Sequence, residues 1–144
     1  MAGRGRIDDD IAKLIKDLKN LPKEMKRQLR KDIRKAAMPA LRKAKSKASF
    51  SRRIPGATRI ATRFTSRNPG VRLETNARRA PHAKPLENQG REGHFRHPLF
   101  GDRRHWVIQN ARPYLWPAVK ETQGQIVADI DKAVLKAARK AGFR

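Results

Sequence analysis

The chain has 144 residues, with 36 Lys or Arg against 13 Asp or Glu, a formal net charge of +23, and no cysteine. This length suits one domain around one core, and the missing thiols exclude disulfides and thiolate metal sites. A hydrophobic share of 38%, against a usual ~45–50%, suggests a modest core with basic segments rather than a compact enzyme, and the charge favours phosphate polymers or acidic protein surfaces as partners.

Residues 1–7 read as a short flexible arm. The start, "MAGRGRIDDD", lacks the apolar run of a signal peptide, and nothing approaches the ~18 apolar residues of a membrane span. A soluble, unprocessed chain without a membrane partner is therefore expected. Asp8, Asp9 and Asp10 offer an N-cap and first-turn carboxylates, and Ile11, Leu14, Ile15 and Leu18 follow at helical spacing. The "NLP" at 20–22 breaks this helix, and Pro22 suits the start of the next.

A second helix is predicted over 23–47. Met25, Leu29, Ile33, Ala36, Ala37, Ala40, Leu41, Ala44 and Ala48 mark its narrow apolar stripe, and Pro39 inside it predicts a kink near Met38. Then the period changes. "ATRIATRF" puts Ile60, Thr62 and Phe64 on one face, "SRNPG" is a turn, and "VRLET" alternates again, so 57–75 reads as a β-hairpin. From Asn76 to Asp102 Pro, Gly, Arg and His occur without a period, which predicts a long loop. "HWVIQN" at 105–110 is a further strand. A last helix begins near Pro117, with Val119, Ile126, Val127, Ile130, Val134 and Ala138 on its apolar face. The expected fold is α+β: two N-terminal helices, a small, mostly antiparallel sheet and a C-terminal amphipathic helix, in one domain over 1–144.

The basic helix is the strongest physical signal. Residues 23–53 carry thirteen Lys and Arg against Glu24 and Asp32, a net +11. Lys23/Arg27, Arg27/Lys31, Lys31/Lys35, Lys26/Arg30 and Arg30/Arg34 are like-charge pairs at i, i+4. Together they cost an isolated helix roughly 1–2.5 kcal/mol before salt screening. One reading is a solvated face. The other is an anionic neighbour, DNA in a channel or an acidic protein patch, met by Lys26, Arg27, Arg30, Lys31, Arg34, Lys35, Arg42 and Lys43. No motif for reading base sequence is present.

"GHFRHPLFGDRRHW" at 93–106 holds His94, His97 and His105. A zinc site would need three or four ligands of fixed geometry, with His82, Asp102 or Glu92 completing the set. Arg91, Arg96, Arg103 and Arg104 would repel a cation there, so a structured loop in which His97 and Phe100 pack, with His94 and His105 partly exposed, is preferred. No nucleophile elbow or phosphate-binding glycine loop is found, and capping explains the three aspartates. No catalytic residue, metal or cofactor is expected. Tyr114 and Trp116, at the entrance to the last helix, suit core and interface equally.

These residues also carry a resemblance. The Leu-Pro between two helices, the Ala/Lys-rich second helix, and above all "GHFRHPLFG…WVIQNARPYLWPAV" resemble the tail-completion, or head–tail joining (neck), proteins of long-tailed bacteriophages, particularly their actinobacterial-phage branch. The specific part is 93–119. Many relatives carry Thr-Gly-x-Leu after the second helix, where this chain reads "FSRRIPGATRIATRF". The resemblance implies a non-enzymatic virion protein, made in the host cytoplasm, forming a ring (a hexamer) at the head–tail junction through which DNA passes. It implies contacts with other neck, connector and tail proteins and non-specific contact with DNA. It makes 77–104 an assembly loop and carries over Phe95, His97, Pro98, Leu99, Phe100, Gly101, Trp106, Arg112, Pro113 and Pro117 as structural or assembly positions, joined by Tyr114 and Trp116. The rival is a sequence-independent basic nucleic-acid-binding protein, and a histidine-metal enzyme is a third reading.

Overall fold

The computed structural model describes residues 17, 19–63 and 70–142. The arm at 1–7, the apolar face from Ile11 to Leu18, and the turn at 66–69 lie outside these residues. Helix α1 spans Lys23–Lys47, a short helix α2 Ile54–Ala57, strands β1 and β2 Thr58–Arg63 and Gly70–Thr75, helix α3 Ala83–Glu87, strands β3 and β4 His94–Leu99 and Asp102–Asn110, and helix α4 Leu115–Lys140. The fold is α+β. Among the described residues, its strands form two separate two-stranded antiparallel sheets, β1–β2 and β3–β4, where the sequence predicts one sheet.

The chain divides into two compact units, one within residues 1–38, 60–72 and 125–144, the other within 39–59 and 73–124. In the first, Leu21, Leu29 and Ile33 are buried with Ala133 and Ala137, and Met25, Ile130 and Val134 pack against them. In the second, Ala44, Ala48, Ile54, Ala57, Ala80, Ala83, Leu86, Tyr114 and Ala118 form the core, flanked by Leu73, Phe95 and Leu115.

Helix α1 follows its predicted stripe: Leu29, Ile33, Ala36, Ala37, Ala40, Ala44 and Ala48 are all buried. Glu24 in the first turn and Lys45 and Lys47 in the last complement the helix dipole. The helix continues through Pro39. The face predicted for the last helix shifts. Ala118, Ile126, Ala133 and Ala137 are buried, whereas Val127 is 50% exposed. Small residues carry more of the burial than the β-branched ones because alanines allow close packing.

The largest difference lies in 77–104, predicted as a loop. It holds α3, a 3-10 turn at Asn88–Gly90, and all of β3, and β4 begins at Asp102 rather than near His105. Two causes hid this. Arg and His fill the outward positions of β3, and Pro98 interrupts it, which an edge strand tolerates. The register pairs His94 with Asn110 and Pro98 with Trp106, then jumps so that Leu99 pairs with Asp102. Arg103, Arg104 and His105 thus form a bulge in β4, and the turn between the strands is only Phe100 and Gly101.

Candidate functional site

Alternation sorts the β3–β4 hairpin into two faces. Phe95 is half-buried and packs on the core of its unit, and its ring lies 5.9 Å from that of half-buried His97. Pro98 is also half-buried. The opposite face and the tip carry apolar groups into solvent: Leu99 is 41% exposed, Trp106 49%, Ile108 68% and Phe100 100%. Phe100 therefore does not pack, contrary to the sequence reading, because it occupies the first central position of the tight turn. Phe100 and Gly101 have φ of 50° and 82°, the positive pair that marks a type I′ hairpin turn.

Asp102 organises the bulge. Its carboxylate accepts from the Arg104 backbone N–H at 3.0 Å, the Arg104 side chain at 3.2 Å and the His105 ring at 2.9 Å. The Arg104 backbone bond, then the His105 and Arg104 side chains, hold its carboxyl below the usual aspartate range. The indole N–H of Trp106 donates to the Arg103 carbonyl at 2.8 Å, and the Arg96 guanidinium lies 5.9 Å from the Trp106 ring. The three hairpin histidines do not converge: His97 bonds the Pro98 carbonyl, His105 bonds Asp102, and His94 is exposed. Among the described residues, no three His or carboxylate groups are placed to hold a metal ion.

The entrance to α4 is held from afar. Glu87, at the end of α3, accepts from the backbone N–H groups of Tyr114, Leu115 and Trp116 at 2.7, 2.9 and 2.8 Å. A carboxylate thus fills the positive end of a 26-residue helix. Tyr114 is core, only 1% exposed, while Trp116 is 60% exposed. The Trp116 ring lies over Gly90, where a Cβ would meet it at 2.4 Å. Pro113 is half-buried, and the exposed Arg112 sets its guanidinium 5.2 Å from the Phe50 ring.

A part-buried hydroxyl chain ties Tyr114 to β1. Thr58 donates to the Ile54 carbonyl at 2.8 Å, leaving it only acceptor capacity toward Thr75 at 2.9 Å. Thr75 therefore donates to Thr58, and the Tyr114 hydroxyl, 2.7 Å away, donates to Thr75. Burial pushes the Tyr114 hydroxyl above the usual tyrosine value, with the Glu87 charge adding and the Thr75 bond opposing. This is the chain's one tyrosine, so an absorbance titration reads it alone, and its midpoint should lie above ~10. The linked stability is fully present below the unfolded pKa and is lost as pH rises through the folded one. Tyr114→Phe removes the donor to Thr75 and should lower unfolding free energy by about 1 kcal/mol in urea titrations; an unchanged midpoint would refute a stabilising chain.

Ser51 was not flagged by sequence. Its Oγ accepts from the backbone N–H groups of Arg53 and Ile54 at 3.3 and 3.2 Å and lies 2.9 Å from His82 Nε2. With both lone pairs engaged, the hydroxyl donates to His82, so the pair staples α2 to the segment before α3.

The basic positions separate by unit. Arg27, Arg30, Lys31, Arg34 and Lys35 are exposed on α1, and Lys26 is half-buried. Arg27 reaches Glu24 at 3.9 Å. In the other unit Arg42 is exposed, but Lys43 and Lys47 each meet Glu121 at 2.8 Å. Bonds from Lys43, then Lys47, lower the Glu121 carboxyl from 4.5 to about 2. Its contribution to stability is present above pH 4.5 and lost as pH falls toward 2. Acid unfolding of Glu121→Gln and the parent chain should therefore converge across that window, and a constant difference would contradict the pairing.

Comparison of the chain with protein-family models, curated proteins and solved structures finds no match. Among the described residues, no helix is long and apolar enough to cross a membrane.

Proposed function

We propose that this chain is a non-enzymatic structural protein of the phage virion, a neck or tail-completion subunit that assembles into a ring around passing DNA. The observation that carries this reading is the β3–β4 hairpin, which holds Leu99, Phe100, Trp106 and Ile108 in solvent. Between residues 85 and 119 there are five Arg and no Lys, whereas 23–53 carries seven Lys. Aromatic residues and Arg are enriched, and Lys depleted, where proteins meet. The resemblance of the same stretch to phage neck proteins supplies the class, with connector and tail proteins as further partners and the virion as location. The exposed cations of α1 would face DNA phosphates or acidic neighbours. Electron micrographs of the purified protein, alone and with tails, should show rings or capped tail ends.

The second reading, a sequence-independent nucleic-acid-binding protein, rests on that basic α1 face. It expects monomers whose affinity for any duplex falls with salt at a log–log slope near −0.9 per phosphate contact. Absence of rings together with such a slope would replace the first reading by the second.

A further inference from the structure

Phe100 is fully exposed and holds φ of 50°. Left-handed backbone is strained for a bulky side chain, and Asn, Asp or Gly is the usual occupant of this turn position. The chain thus forgoes both turn stability and apolar burial at one residue, and no packing within its own unit compensates. Strain kept without internal reward points to a role outside the subunit.

The same unit contains an apolar cavity of about 630 Å³. Its lining combines Ala77, Ala80, Ala83, Phe95, Tyr114 and Leu115 with the charged Lys84 and Glu87. Of these alanines Ala80 and Ala83 are buried and Ala77 is exposed, so the free volume lies beside Ala77 and the half-buried Phe95 and Leu115. An unsupported apolar knob and an unfilled apolar hole therefore occur on one chain.

We propose that Phe100 of one copy seats in the alanine-walled cavity of a second copy, joining subunits head to tail. Knob and hole are different surfaces, so the contact is heterologous and propagates to a closed ring or an open filament rather than stopping at a two-fold dimer. The proposal rests on the ring reading above and adds the contact that closes it. Copies carrying +23 repel one another at long range. The apolar contact should accordingly strengthen as salt screens that repulsion, whereas a hairpin that wedged into DNA would bind more weakly.

The test is sedimentation velocity of the full chain at about 0.1 and about 1 M salt, where the Debye length is about 10 and 3 Å. The parent chain should form species larger than dimers, more at high salt. Phe100→Asn creates the favoured Asn-Gly turn, so it should raise the thermal unfolding midpoint while weakening self-association about thirtyfold, the loss expected for one anchoring aromatic. Ala77→Phe, at an exposed position on the cavity rim, should fill the hole and leave monomers with normal circular dichroism. Mixed together, the two variants should form a one-to-one dimer and stop, since only one intact knob and one intact hole remain. Phe100→Asn assembling like the parent, or a mixture that stays monomeric while the parent assembles, would overturn the contact and leave the ring reading standing. A parent chain monomeric at both salts that binds a 30-base-pair duplex would overturn both.

Discussion

Replacing Glu87 by Ala should lower the unfolding free energy by about 2–3 kcal/mol, a drop of roughly 6–12 °C in midpoint. Three backbone N–H groups, that of Tyr114 just before α4 and those of Leu115 and Trp116 in its first turn, converge on this carboxylate within 2.9 Å, and N–H groups at a helix start have no carbonyl partners of their own. Ala removes the acceptor and leaves the part-buried N–H groups of Tyr114 and Leu115 without it. Gln keeps an acceptor but loses the charge that matches the helix dipole, so Glu87→Gln should fall between the parent and Ala. Calorimetry on the three proteins checks the order. If Ala and the parent melt together, the helix is capped by something else.

Leu29→Ala should cost about 2–5 kcal/mol. Leu29 is 2% exposed and is the most buried large side chain of its cluster. Among the described residues, that cluster buries Leu21, Leu29, Ile33, Ala133 and Ala137, and truncating its most buried member leaves a hole that this small set fills incompletely. Leu29→Met, of similar volume, should cost under ~1.5 kcal/mol. Urea titrations of both variants give the comparison, and equal losses would mean that shape rather than cavity formation decides stability at this site. Val127→Ala, half-exposed on α4, should change stability within about 0.5 kcal/mol and serves as the control.

Legibility followed the range of the interactions. The stripe of α1 was readable because a helix repeats its burial every three or four residues, and Leu29 through Ala48 keep that rhythm unbroken. The β1–β2 strands were readable because Ile60, Val71 and Leu73 alternate with Arg59 and Arg72. In the second hairpin the strand at 105–110 was legible but its partner β3 was not, although a local signal existed: an X-Gly pair, Phe100-Gly101, stands between two runs of β-compatible length. Pro98, and the three extra residues that Asp102 folds into a bulge, broke the alternation that would have supported it. Ile108 and the alanine-walled cavity were missed for another reason. Exposure of an apolar residue and emptiness beside an alanine are properties of the packed chain, not of residue type.

The amino-acid sequence alone determined the charge, the absence of thiol chemistry, the α+β class, the apolar face of α1 and the stretch at 93–119 where the resemblance lies. Each of these depends on composition or on a period of a few residues. Only the tertiary structure decided that Glu87 caps a helix starting 28 residues later, that Ser51 meets His82 across 31 residues, and that His97 and His105 of the hairpin bond different partners while His94 stays exposed. It also placed Tyr114 in the core and left Trp116 exposed, two residues that sequence treats alike. The physical reason is that a carboxylate, a hydroxyl or a ring acquires its role from whichever donor, acceptor or wall folding brings within about 3–4 Å, and spacing along the chain carries no record of that meeting.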